Sequence, residues 1–265
     1  MKRTLVFTAD YHTHTRHSHG RGTVAQNARV AKRRGLARLA VTDHGPANLF
    51  GVGVRHCGVY EEIRKEAEEA MRLFPGLQIL TGAEANVISR EGEIDIPPEV
   101  AKKLDILLVG LHIMVRPKVL PQAAYVAGVN LLAALQSRAG RGSRVGRASR
   151  ADRAALVANT DALVAAIYRH RVHIVTHPGY RLPIDTKELA RACAARGTAM
   201  EINTGHHGVT ASYVRTAFAA GARLVINSDA HEPERVGDLA GGLALLREAA
   251  VPPEAVLNLI CRTES

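Results

Sequence analysis

The strongest constraint on this chain is a repeated pairing: a short apolar run, then a histidine or carboxylate at or just past its end. The runs are Leu5-Val6-Phe7, Leu39-Ala40-Val41, Leu77-Gln78-Ile79-Leu80, Asp105-Ile106-Leu107-Leu108-Val109, His173-Ile174-Val175-Thr176, Ala199-Met200-Glu201-Ile202-Asn203 and Leu224-Val225-Ile226. Their length and branched content predict buried strands. Beyond them stand His12 and His14, then His44, Glu84, His112 and His177, and finally Asp229 with His231. Helical patterns alternate with the strands: Thr23 to Arg34 ended by Gly35, Tyr60 to Leu73 broken at Pro75-Gly76, Pro121 to Gln136, Arg153 to His170, Lys187 to Arg196 ended by Gly197, and Ala211 to Ala220 ended by Gly221. A turn or hairpin over Glu91 to Asp95, a brief helix over Pro97 to Lys103, and helical segments over Pro233 to Arg247 and Pro253 to Cys261 complete the expectation.

Strand-then-helix units with short connections predict an α/β fold with a parallel sheet. Periodicity permits either a doubly wound open sheet or a closed barrel. Chemistry gathered from the ends of so many strands favours the barrel, because there all strand ends face one cavity. The 265 residues are enough for one large domain, and no linker divides them. No apolar run reaches membrane-spanning length, and the apolar stretch near Met1 is too short for a signal peptide. Cys57, Cys193 and Cys261 are odd in number and lack C-x-x-C spacing, as expected of reduced thiols in a cytoplasmic protein.

The net charge of +10 invites a nucleic-acid reading. Much of that excess sits in Arg138, Arg141, Arg144, Arg147, Arg150 and Arg153, within a Gly- and Ser-rich stretch. A threefold spacing matches no single helical face, and glycine weakens a helix. The stretch from about 137 to 153 is therefore read as a solvated insertion, and the charge as a weak guide to partners.

The stretch Asp10 to Gly20 holds His12 and His14 on one face of an extended segment. Taken singly, each histidine is better explained as a half-buried, hydrogen-bonded side chain. Nine strand-end residues together (His12, His14, His19, His44, Glu84, His112, His177, Asp229 and His231) point instead to a shared metal site. Imidazole and carboxylate without thiolate suit Zn, with Mn or Fe as alternatives, in hydrolytic chemistry. Nine donors exceed one tetrahedral shell, so more than one ion is expected.

H-T-H at His12, S-H-G at His19, T-D-H-G-P at His44, G-A-E-A-N at Glu84, G-L-H at His112, T-H-P-G at His177 and S-D-A-H ending at His231 closely resemble the motifs of the PHP (polymerase and histidinol phosphatase) family. They stand in the family's order and cover most of the chain. The resemblance implies a distorted (β/α)7 barrel with up to three metal ions at its C-terminal mouth. It implies that His12, His14, Glu84 and Asp229 bind the first ion. Glu84 bridges to a second ion completed by His112 and His177, and His19, His44 and His231 hold the third. His17 is the competing imidazole for the place of His19.

The activity expected is hydrolysis of small phosphate monoesters by water that the metal ions activate, with Asp229 or His231 handling the leaving-group proton. Arg16, Arg21, Arg55 and Arg181 follow strand ends and are candidates to clamp phosphate. Glu201 and Asn203 share a strand face beneath the same cavity, and His206 and His207 are candidates for its rim. Alternatives are a histidinol-phosphate phosphatase, a nuclease or phosphodiesterase using the basic insertion, and a metal-stabilised binding module without catalysis. The nuclease reading is weakened by the lack of aromatics within the basic run.

Overall fold

The computed structural model describes residues 2–113, 115–116, 150–206 and 208–264. Nine strands alternate with helices among them: β1 (Lys2–Phe7), β2 (Ala9–Asp10), β3 (Arg38–Val41), β4 (Gln78–Asn86), β5 (Ile106–Gly110), β6 (Ile174–Val175), β7 (Ala199–Asn203), β8 (Arg223–Asn227) and β9 (Leu259–Glu264). Strands β2 to β8 form one sheet in chain order, every neighbouring pair parallel. The helices are α1 (Val24–Arg33), α2 (Val59–Leu73), α3 (Pro98–Ala101), α4 (Arg150–Arg169), α5 (Thr186–Arg196), α6 (Ala211–Ala219) and α7 (Ala240–Glu248).

The sheet closes on itself, which decides between barrel and open sheet. Thr13 and Ala230 form a parallel bridge between the segments that follow β2 and β8, and the His14 amide donates to the Ala230 carbonyl at 2.9 Å. Below that bridge, side chains close the seam. Asn258 donates to the carbonyls of Ala9 and Ile226 and accepts from the Ile226 amide. Buried Asp10 accepts from the Ser228 amide and hydroxyl and from the Gly237 amide. The result is a distorted (β/α)7 barrel.

Alternation along the strands sorts the core into two parts. Ala40, Ile106, Leu108, Ile174, Ala199 and Val225 form a small inner cluster, while the intervening residues pack outward against the helices. The inner cluster plugs the barrel and leaves its C-terminal end to polar side chains. Helix starts follow the chain's own capping chemistry: Thr23 forms a full capping box with Gln26, and Asp185 and Thr210 cap α5 and α6. Gly197 takes the left-handed conformation after α5, as its position predicts.

Three expectations are corrected. The run Leu5-Val6-Phe7 is not the first barrel strand; β1 lies outside the barrel and pairs antiparallel with β9, so Leu5 faces Cys261. The barrel begins instead with Ala9–Asp10, immediately before the histidines. The tail over Pro253 to Cys261 is a 3-10 turn followed by β9, whose residues pair with β1 instead of continuing the turn as a helix. Arg150 stands in α4 and not in the loop, because that helix begins three residues before the expected start at Arg153. The helix expected over 121–136 and the other four arginines of the insertion lie outside the described residues.

Candidate metal centre

Every strand-end residue singled out in the sequence reaches the same end of the barrel. His12 and His14 leave β2 on one face, as their spacing predicts. A parallel bridge between His44 and Glu84 carries the β3–β4 pairing up to the mouth and sets these two side by side. Buried Asp43 accepts from the Thr15 amide and hydroxyl and from Ser18 Oγ, tying the His14–His19 turn to the end of β3. Glu84 sits opposite Leu108 of the apolar plug in the β4–β5 register.

Four donor atoms converge. His12 Nε2 lies 3.1 Å from His14 Nε2, 3.2 Å from Glu84 Oε2 and 3.4 Å from Asp229 Oδ1. His14 Nε2 lies 3.1 Å from Asp229 Oδ1 and 3.6 Å from Glu84 Oε2. The edge of a tetrahedron around an ion with ligand distances near 2.0–2.1 Å is about 3.3 Å. His12 Nε2, His14 Nε2 and Asp229 Oδ1 are therefore spaced as one cation would hold them, with Glu84 Oε2 within 3.6 Å of both histidines. Glu84 Oε2 and His44 Nδ1 are 2.8 Å apart, yet both are buried and neither has a directed hydrogen bond. His112 Nε2 and His231 Nε2 are likewise buried without a partner. Orphaned buried acceptors turned toward one another are costly unless a cation lies among them.

The other oxygen of Glu84 serves a second group: Oε1 is 2.9 Å from His177 Nε2 and 3.4 Å from His112 Nε2, and accepts from Thr176 at 2.7 Å. Donor sets compact enough for an ion are His12–His14–Asp229, His44–Glu84–His112, His14–His44–His231 and His177–His206–Asp229. His19 belongs to none of these sets. Its ring lies 4.2 Å from that of His231 and 5.0 Å from that of His44, while its Nδ1 faces the Val52 carbonyl at 3.2 Å. His17 turns away to Glu66, 3.0 Å distant.

The charges suit metal ligation. Burial opposes ionisation of Glu84 and of Asp229, but the surrounding histidines outweigh it and hold both carboxyls well below their ordinary range. Burial, with His231 and His44 beside it, pushes His14 well below the ordinary histidine value. Burial draws His44 down to about 4 despite the pull of Glu84. Carboxylate with neutral imidazole is the state that binds a cation. His12 moves the other way: burial opposes its charge, but Asp229, Glu201 and Glu84 together raise it.

Glu201 is the principal residue behind the donors. Its Oε1 meets His12 Nδ1 at 2.8 Å and accepts from Asn227, and its Oε2 accepts from the His177 amide at 2.7 Å and from Asn203. Four donors fill the acceptor capacity of one carboxylate, so Glu201 orients other groups. A proton on His12 Nδ1 leaves Nε2 with its lone pair toward the cluster.

Sequence reading named His206 only as a rim residue. Its Nε2 lies 2.9 Å from Asp229 Oδ2, and its ring stacks on Tyr180 at 4.0 Å. His207 lies outside the described residues. Of the four arginines, Arg181 lines the cavity above the cluster, whereas Arg16, Arg21 and Arg55 do not. Arg21 is paired with Glu232 at 2.6 Å. The cavity has a volume of about 280 Å³ and is walled by Val52, Leu111 and Ile113 on its apolar side. Three of the five non-glycine residues with positive φ among the described residues, namely His177, Arg181 and Asp229, line it. Such backbones cost on the order of 1–3 kcal/mol each and concentrate at functional sites.

Among known proteins, the chain is 31% identical over 268 residues to a "Probable phosphatase" of Caldanaerobacter subterraneus, covering 97% of this chain and 89% of that one. It is 32% identical over 264 residues to another of Shewanella sediminis, covering 96% and 90%. The fold is similar to that of histidinol phosphate phosphatase from Lactococcus lactis, whose crystal structure contains zinc, L-histidinol and phosphate. The TM-score is 0.61 with 15% identity, over 93% of this chain and 95% of that one. The family model described as "PHP domain" matches residues 10–205. With the strand-end donors, the barrel and these relatives in agreement, the chain belongs to the PHP domain family.

Proposed function

We infer that this protein is a metal-dependent phosphoesterase that hydrolyses small phosphate monoesters at the barrel mouth. The observation that carries the reading is the compact donor set His12 Nε2, His14 Nε2 and Asp229 Oδ1, with Glu84 Oε2 close to both histidines and orphaned polar atoms around it. The relatives named as phosphatases support the same reaction class.

His12, His14, Glu84 and Asp229 would hold one ion, and Glu84 would share its second oxygen with an ion held by His112 and His177. His44 and His231, with His19 beside them, would hold a third. Zn suits these ligands, as do Mn and Fe. Divalent ions so held supply Lewis acidity: they lower the pKa of a coordinated water and neutralise charge on the phosphoryl oxygens. The chain supplies the rest. Glu201 keeps His12 in the tautomer that faces the cluster, and Thr176 fixes the Glu84 carboxylate. Asp229 is held ionised with both oxygens engaged, so it does not carry a transferable proton. His231, with Nδ1 2.9 Å from the Asp229 carbonyl and its ring at the cavity, could carry the leaving-group proton on Nε2 only where that atom does not hold the third ion.

The test is phosphate release from a panel of monoesters that includes histidinol phosphate and an aryl phosphate, with bis-aryl phosphate as the diester control. Metal-loaded protein is expected to release phosphate from monoesters. Exclusive diester cleavage, or no turnover while metal is bound, contradicts the reading.

A further inference from the structure

We propose that the substrate is a phosphate monoester whose alcohol part carries a second anionic group, and that Arg181 reads that group. The proposal rests on the phosphoesterase reading and narrows its substrate class.

The first argument is an inventory of carboxylates. Residues 1, 114, 117–149, 207 and 265 contain no Asp or Glu, so every acidic side chain except that of Glu264, on β9 outside the barrel, belongs to the described residues. Among the residues lining the cavity the one carboxylate is Asp229, whose Oδ1 faces His14 and whose Oδ2 accepts from Asn203 and meets His206. Glu84 and Glu201 are fully buried beneath the donors. Glu232, beside His231, is bound to Arg21. An ammonium group on the substrate would find no acidic partner here and would lose hydration without compensation.

The second argument is Arg181 itself. It lines the cavity, is exposed, and has no carboxylate partner among the described residues. Its guanidinium lies 4.9 Å from the centre of the Tyr180 ring. That ring stacks on His206 with an angle of 9° between planes, and His206 is fastened to Asp229. A rack thus runs from a donor at the cluster to Arg181, the one arginine of the lining among the described residues. Left-handed φ at Arg181 (59°) directs the chain into this arrangement at the first turn after β6. A planar guanidinium fork with fixed orientation is suited to a carboxylate or second phosphate. Val52, Leu111 and Ile113 in the same lining favour a short carbon spacer between the two anions.

The test compares three esters of matched size on metal-loaded protein: phosphoglycolate, 2-hydroxyethyl phosphate and 2-aminoethyl phosphate. Both kcat/KM and, by calorimetry, Kd are measured. Phosphoglycolate is expected to lead the neutral ester by about tenfold and the amino ester to trail it, the scale of one charge pair in a partly hydrated site. In Arg181→Gln the ratio of phosphoglycolate to neutral ester should collapse toward one, through KM more than kcat, and Arg181→Lys should restore part of it. Equal handling of the amino and carboxylate esters overturns the proposal. So does a proportional loss for all three esters in Arg181→Gln, which would place Arg181 on the reacting phosphate. If none of the three is turned over, the phosphatase reading suffers and the Kd ranking still decides. Equal or undetectable binding of all three then rejects the charge preference.

Discussion

Glu201 shows at the scale of single residues how the site is held. It accepts from four donors and fixes the imidazole of His12. Glu201→Gln keeps the shape but cannot hold the His12 proton in the same way. The expected result is a loss of about 10–100-fold in metal affinity with secondary structure intact, measured by chelator competition and circular dichroism. Unchanged affinity would mean that His12 needs no such partner. That these residues gather at one end of the barrel was legible in the sequence because both signals are local: a residue type, and its place at the end of an apolar run. His206 was not legible. The loop from Thr204 to Gly208 carries no periodicity, and only the closed barrel brings it to Asp229. The arginines were over-read for the same reason, since Arg21 meets its carboxylate 211 residues away in the chain.

Among the elements, the turns that present the donors are pinned by buried or half-buried acids and by one histidine. Asp95 accepts from the Ala47 amide and from the amide and side chain of Asn86, joining the His44 loop to the end of β4. A Cβ on Gly45 would overlap this carboxylate. Asp95→Ala should lower unfolding stability by about 1–3 kcal/mol, read as a lower denaturant midpoint, because it strands those donors. His173 acts at the base of β6, where Nδ1 accepts from the Leu107 amide at 3.0 Å. Burial, with Arg171 nearby, holds His173 below its ordinary value of 6.5. The unfolded chain therefore binds more protons than the folded one between that lowered value and 6.5, and the stabilisation is present above 6.5 and lost as pH falls through the window. The melting-temperature gap between wild type and His173→Gln should accordingly shrink from pH 7.5 to pH 5.5; a gap that widens would contradict the acceptor role. The hairpin around Gly92, the helix caps and the strand positions were readable from turn and capping residues. The two-residue length of β6 was not, since it depends on neighbouring strands.

At the scale of the whole molecule, closure of the barrel is what turns scattered residues into one site. Closure depends on contacts between chain ends: Asn258 with Ala9 and Ile226, Asp10 with Ser228 and Gly237, and Thr13 with Ala230. No local pattern announces such contacts, which is why periodicity left an open sheet in play and why Leu5-Val6-Phe7 was mistaken for a barrel strand. Asn258→Ala should cost about 2–4 kcal/mol, since it leaves the Ile226 amide and two carbonyls unpaired at the seam, and equilibrium unfolding would report it. The central claim is that the closed mouth gathers histidines and two carboxylates around several cations that make it a phosphoesterase. The most direct measurement is phosphate release plotted against metal bound per chain, for wild type and Glu84→Ala. The account predicts that wild-type activity rises as metal is loaded, and that Glu84→Ala binds less metal and loses activity by at least about a hundredfold. Full metal content without phosphate release, or a Glu84→Ala variant as active as wild type, would contradict it.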